Sequence, residues 1–98
     1  MNIQKTQTAD KLTVAVEGRL DTTSSPKLEG ELRSAYDSIS DLTIDLSNLT
    51  YISSAGLRVL LSAQKVMNKK GHMTICNVRP EIMDVFKITG FLSILNIE

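Results

Sequence analysis

The chain has 98 residues, 42% of them hydrophobic, and its 11 basic and 11 acidic residues give a formal net charge of zero. That length fits one domain, residues 1–98, burying roughly 60–70% of its unfolded surface. The charge balance gives no electrostatic case for nucleic acid or an anionic membrane as partner, and the single cysteine, Cys76, excludes an intrachain disulfide and a cysteine-rich zinc site.

No basic start followed by an apolar run marks a signal peptide, and no stretch approaches the ~20 apolar residues of a membrane helix. The expectation is a soluble, cytoplasmic protein, monomeric by default.

Residues 2–7 read as a strand that pairs with the next across a polar turn at 8–11. Leu12, Val14 and Val16 alternate with Thr13, Ala15 and Glu17, the period of a half-buried strand, and Gly18 is expected to end it. Ser24-Ser25-Pro26 starts a helix, with serine as N-cap and proline in the first turn. Leu28, Leu32, Ala35 and Ile39 follow at helical spacing. Leu42, Ile44 and Leu46 form a further strand. A broadly apolar helix runs from about Ser54 to Lys70, with Lys69 and Lys70 at its negative end and Gly71 after it. Met73–Val78 is a strand, Pro80 opens a shorter helix that Gly90 ends, and Ser93–Ile97 is expected to be a last short strand. The order β-β-α-β-α-β-α-β predicts an α/β fold: a mixed, largely parallel sheet of four to five strands covered by about three helices.

The segment from Asp45 to Leu57 carries the functional signal. It predicts a short buried strand, a turn, and then Ser53, Ser54 and Gly56 at the mouth of a helix. Free backbone N–H groups and a partial positive charge at a helix N-terminus favour a capping serine and tolerate an added phosphate. Gly56 permits close helix packing. Asp45, at the end of a strand, is placed to brace the Ser53–Gly56 turn by accepting backbone N–H bonds. Arg58 lies in the first turn of the helix, where its charge opposes the dipole, which makes it a candidate partner contact. Asp21, Thr22 and Thr23 form a polar turn leading into the first helix.

Enzyme readings fare poorly. His72 is the only histidine, and there is no Gly-x-Ser-x-Gly elbow, no phosphate-binding Gly-x-x-x-x-Gly-Lys-Ser/Thr loop and no metal-ligand cluster. Cys76, Met67, Met73 and Met83 read as core residues. The four aromatics, Tyr36, Tyr51, Phe86 and Phe91, are not interleaved with basic residues.

The chain resembles the STAS domain family, and within it bacterial anti-sigma factor antagonists. Asp45-Leu46-Ser47, Tyr51-Ile52, Ser54 and Gly56-Leu57 match the family signature. Gly18-Arg19-Leu20-Asp21 and Phe86-Lys87-Ile88-Thr89-Gly90-Phe91 match it near either end. Two positions depart: Ser53 stands where aspartate is usual, and Ala55 where serine or threonine is usual. STAS domains commonly end with a further helix, for which no sequence remains before Glu98. The resemblance implies that Ser54 is the phosphoacceptor, with Ser53 as second choice, and that the Asp21–Thr23 turn joins the partner-binding face. It implies an anti-sigma factor partner that is also a serine kinase of histidine-kinase-like ATPase fold, and a serine phosphatase that reverses the mark. No cofactor or metal is expected in this chain. A second reading stays open: a partner-switch scaffold controlling a phosphatase, cyclase or other output. A third, a small-ligand or nucleotide sensor, has no sequence feature behind it.

Overall fold

A computed structural model describes residues 1–98. Two strands, β1 (Asn2–Thr8) and β2 (Lys11–Leu20), form an antiparallel hairpin whose tight turn places Ala9 at φ 57. Then come α1 (Ser25–Ala35), β3 (Asp41–Asp45), β4 (Leu49–Ile52), α2 (Ser54–Lys70), β5 (His72–Cys76) and α3 (Pro80–Thr89). The sheet order is β1-β2-β3-β5, with every pair after the hairpin parallel, and β4 adds to the upper end of β2. This is the mixed, largely parallel α/β sheet that the sequence predicts.

The alternation along the strands shows how the sheet is covered. Leu12, Val14, Val16, Leu42, Ile44, Met73 and Ile75 are buried, whereas Lys11, Thr13 and His72 on the opposite face are exposed. One face therefore packs on helices and the other meets solvent. The buried face joins Leu28, Leu32, Leu57, Leu60, Met67, Ile82 and Phe86 in one core.

Four expectations about the fold need correction. Gly18 does not end its strand. It takes φ +89, where a glycine costs least, and β2 continues to Leu20 after a register shift at Gly18/Arg19. The extended end of β2 is what pairs with β4, a strand the alternation does not predict. The expected strand at Ser93–Ile97 is instead a 3₁₀ turn (Phe91–Ser93) followed by one bridge, Ile75 to Ile97. Gly90, left-handed at φ +80, turns the chain there, and Asn96 is then held by the buried Gln64, whose Oε1 accepts its N–H at 3.3 Å. Cys76 is half-buried rather than a core residue, and Met83 only packs against the core. Burial pushes the Cys76 thiol up, aided by the Asp45 and Glu98 carboxylates.

Gly71 follows α2 in an extended conformation, so no left-handed cap is formed. Its need is space: a Cβ there would overlap the carbonyl oxygen of Ser40.

Candidate functional site

The ends of β2 and β4 lie side by side, with Arg19 opposite Tyr51 and Leu20 opposite Ile52. The Ser53 N–H continues the pairing by donating to the Leu20 carbonyl at 2.9 Å. Each strand then leads into a helix, so the N-termini of α1 and α2 emerge from neighbouring positions. This places Thr22 of the Asp21–Thr23 turn and Ala55 and Arg58 of α2 around one cleft.

Ser53 and Ser54 divide their tasks. Ser53 is the N-cap of α2: its backbone is extended (ψ 176) and its hydroxyl accepts the Gly56 N–H at 3.4 Å. Ser54 is the first helical residue and is exposed, and its hydroxyl makes no hydrogen bond within the chain. No acidic residue lies in the first turn of α2, so the positive end of the dipole at Ser54 is uncompensated. Gly56 is buried against β2 and β4. A Cβ there would sit 2.8 Å from Ile52 Cγ1 and 2.9 Å from Leu20 Cγ, so glycine sets how closely α2 seats on the strands that present it.

The Asp21 turn is tightly bonded. Asp21 Oδ1 accepts the Thr23 and Ser24 N–H groups, each at 3.1 Å, and the single Ser24 hydroxyl proton lies within reach of both Asp21 Oδ1 at 3.1 Å and the Arg19 carbonyl at 2.8 Å and is shared between them. The Ser24 backbone N–H, its hydroxyl and the Thr23 N–H hold the Asp21 carboxyl below its ordinary value. Ser24 is the N-cap residue of α1, but its hydroxyl serves this turn instead of the helix. Thr22 and Thr23 are exposed.

Asp45 does not brace the Ser53–Gly56 turn. Its Oδ1 accepts the Ser47 N–H at 2.9 Å and an Asn77 side-chain N–H at 3.3 Å. It therefore ties the β3–β4 turn to the loop after β5, outside the site.

Two features of the site are not legible in the residue types. The Arg19 guanidinium stacks over the half-exposed Tyr51 ring, 4.1 Å from its centroid. A cleft of about 330 Å³ lies between the helix N-termini. Thr22, Ser25, Pro26 and Glu29 line one wall, and Ala55, Arg58, Val59 and Ser62 the other. Ser25 is buried, 2% exposed, and its hydroxyl has no hydrogen-bond partner. Arg58 is exposed and makes none of the chain's four ion pairs; Glu29 is engaged by Arg33 at 2.5 Å.

The geometry is that of a half-covered mixed sheet that displays an unpaired serine where two helices begin. The chain belongs to the STAS domain family, which it matches over residues 2–98. It is 39% identical over 85 residues to BtrV of Bordetella bronchiseptica, which is named as an anti-sigma factor antagonist; the match covers 85% of this chain and 73% of BtrV. It is 32% identical over 100 residues to the anti-sigma-B factor antagonist of Staphylococcus aureus, covering 99% of this chain and 92% of that protein. Its fold matches that of the anti-sigma factor antagonist SpoIIAA in its unphosphorylated form, with a TM-score of 0.85 at 16% identity over 99% of this chain and 88% of SpoIIAA. SpoIIAA has also been solved in a phosphorylated form, with a TM-score of 0.79.

Proposed function

We propose that this protein is an anti-sigma factor antagonist whose switch is the Ser54 hydroxyl. Unphosphorylated, it binds an anti-sigma factor through the Asp21–Thr23 turn and the start of α2, with Ser53, Ser54, Gly56 and Arg58. That binding releases a sigma factor to transcribe its promoters. The partner is also a serine kinase of histidine-kinase-like ATPase fold. The Ser54 oxygen attacks the γ-phosphorus of the kinase's ATP, the Oγ–P bond forms, ADP leaves and the hydroxyl proton passes to the kinase. A serine phosphatase reverses the mark. The chain acts as a regulatory protein in the cytoplasm, not as an enzyme, and needs no cofactor of its own.

The observation that carries this reading is the exposure of Ser54. Its hydroxyl is accessible and unpaired at the first position of a 17-residue helix. The neighbouring Ser53 is committed to the cap and is half-buried, so it is the poorer acceptor. A phosphate of about −1.5 to −2 charges is tolerated there by the helix dipole, so it acts on the surface and leaves the fold intact.

The test incubates the purified chain with ATP and the candidate serine kinases of the same genome, followed by site mapping. Phosphate on Ser54, absent from Ser54→Ala, together with a partner that also captures a sigma factor, supports the proposal. Phosphate on Ser53 moves the site. A phosphorylating partner that holds no sigma factor favours a partner switch with a phosphatase or cyclase output. No phosphate from any kinase, beside an active control pair, overturns the proposed switch.

A further inference from the structure

We propose that the cleft between α1 and α2 is the socket for a carboxylate side chain of the anti-sigma partner, held by Arg58 and Ser25, and that phosphate on Ser54 switches binding off by drawing Arg58 away. This rests on the partner-binding reading above and names what that partner presents.

Two independent observations meet in the cleft. The first is the Ser25 hydroxyl, which is buried and bonded to nothing. A shielded hydroxyl without a partner destabilises the free protein, and such groups are paired in most proteins. The Asp21 carbonyl one turn back is already engaged by the Ser25 N–H at 2.8 Å, and the hydroxyl makes no bond to it. Ser25 lines the cleft, so its proton, which rotates freely about the Cβ–Oγ bond, can be offered to a group seated there once the side chain takes the staggered rotamer facing it. The second observation is Arg58, a guanidinium with no carboxylate within 4.0 Å although Glu29 lies across the cleft. Glu29 is instead paired with Arg33, one turn along its own helix. A planar fork of donors, a hydroxyl donor and two helix N-termini together match a carboxylate. The chain itself supplies none.

The switch follows from helical spacing. Ser54 and Arg58 are four residues apart on α2, so their side chains share one face. A phosphoserine at the N-terminal position with arginine four residues on is the favourable order for an ion pair. The doubly charged phosphate competes with the partner's single carboxylate for the same guanidinium. It thereby removes the anchor and adds a like charge beside the socket.

The experiment uses the full chain and the kinase that phosphorylates Ser54. Affinity for that kinase is measured by calorimetry for wild type, Ser25→Ala, Arg58→Ala and Arg58→Lys, with thermal melts of each. The expected result is that Ser25→Ala melts at or above the wild-type temperature yet binds at least tenfold more weakly. A plain packing defect cannot give that combination. Arg58→Ala also loses at least tenfold, and Arg58→Lys recovers part of it. Phosphorus NMR titration of phosphorylated chain then reads the second ionisation of the phosphate, which is lower with Arg58 than in Arg58→Ala. Wild-type binding with both alanine variants within twofold of it overturns the socket alone. Identical phosphate titrations overturn the capture of Arg58. A wild type that no kinase binds or phosphorylates overturns the parent reading, and the socket falls with it.

Discussion

Gly56 and Leu20 touch where α2 meets the end of β2: a Cβ added to the glycine would lie 2.9 Å from Leu20 Cγ. Leu20 is fully buried, and its carbonyl holds the Ser53 N–H. The contact that seats the helix and the bond that fixes its cap therefore share one residue.

Gly56→Ala should accordingly cost about 1–3 kcal/mol, the usual range for overpacking a filled core. Ile52, at 2.8 Å from the added carbon, and Leu20 are both buried, so neither can swing into solvent. Urea denaturation of the variant checks the stability. The displaced helix start should also slow phosphorylation of Ser54, and an unchanged midpoint would mean that α2 has slack the packing does not show.

The two adjacent serines should separate cleanly by substitution. Ser53→Ala removes the cap that accepts the Gly56 N–H. It should cost about 0.5–1 kcal/mol, at the low end because the bond is long. Ser54→Ala removes an exposed hydroxyl with no bond in the chain, so stability should stay within about 0.5 kcal/mol while phosphate incorporation is lost. Denaturation midpoints and phosphate mapping on both variants check the assignment; reversed results would exchange the roles.

The sequence made the half-covered sheet legible wherever burial forces a two-residue period, as in Leu12-Val14-Val16 and Leu42-Ile44. Strand β4 escaped because Leu49 and Ile52 are buried while Thr50 and Tyr51 between them are exposed, which breaks that period. The C-terminal residues Leu95 and Ile97 do alternate, but the turn set by Gly90 lets only one bridge form. Ser53 and Ser54 are the same residue type, and the cap was decided by the Ser53 backbone pairing with Leu20, a contact between distant segments. Asp45 followed by Ser47 is a local turn pattern, visible in the residues themselves, and it takes precedence over the more distant helix cap. The Ser25 hydroxyl had no sequence signal, since its lack of a partner depends on what packs around it.

Gly71→Ala should be among the most damaging single substitutions. The added methyl would overlap the Ser40 carbonyl oxygen, which accepts the His72 N–H at 3.0 Å where β5 starts beside β3. Backbone cannot step aside as a side-chain tip can, so a loss of about 3 kcal/mol or more is expected. Yield and thermal midpoint provide the check, and a midpoint within a few degrees of wild type would contradict the packing argument.

Acid sensitivity should trace to two aspartates. The Ser24 N–H depresses Asp21, and the Ser47 N–H depresses Asp45, each below the ordinary value of 3.8. A carboxyl whose folded value is depressed favours the fold while ionised. Its contribution is complete above the ordinary value and is lost as pH falls through the depressed one. Stability should therefore hold from neutral pH to about pH 5 and decline below about pH 4. Asp21→Asn and Asp45→Asn should each be less stable than wild type at neutral pH and should each flatten that acid decline. Denaturation midpoints across the acid range, compared between wild type and the two variants, measure this. An equally steep decline in both variants would place the acid-labile groups elsewhere, with Asp10, bonded by the Ser40 hydroxyl, and Glu31, paired with Lys5, next in line.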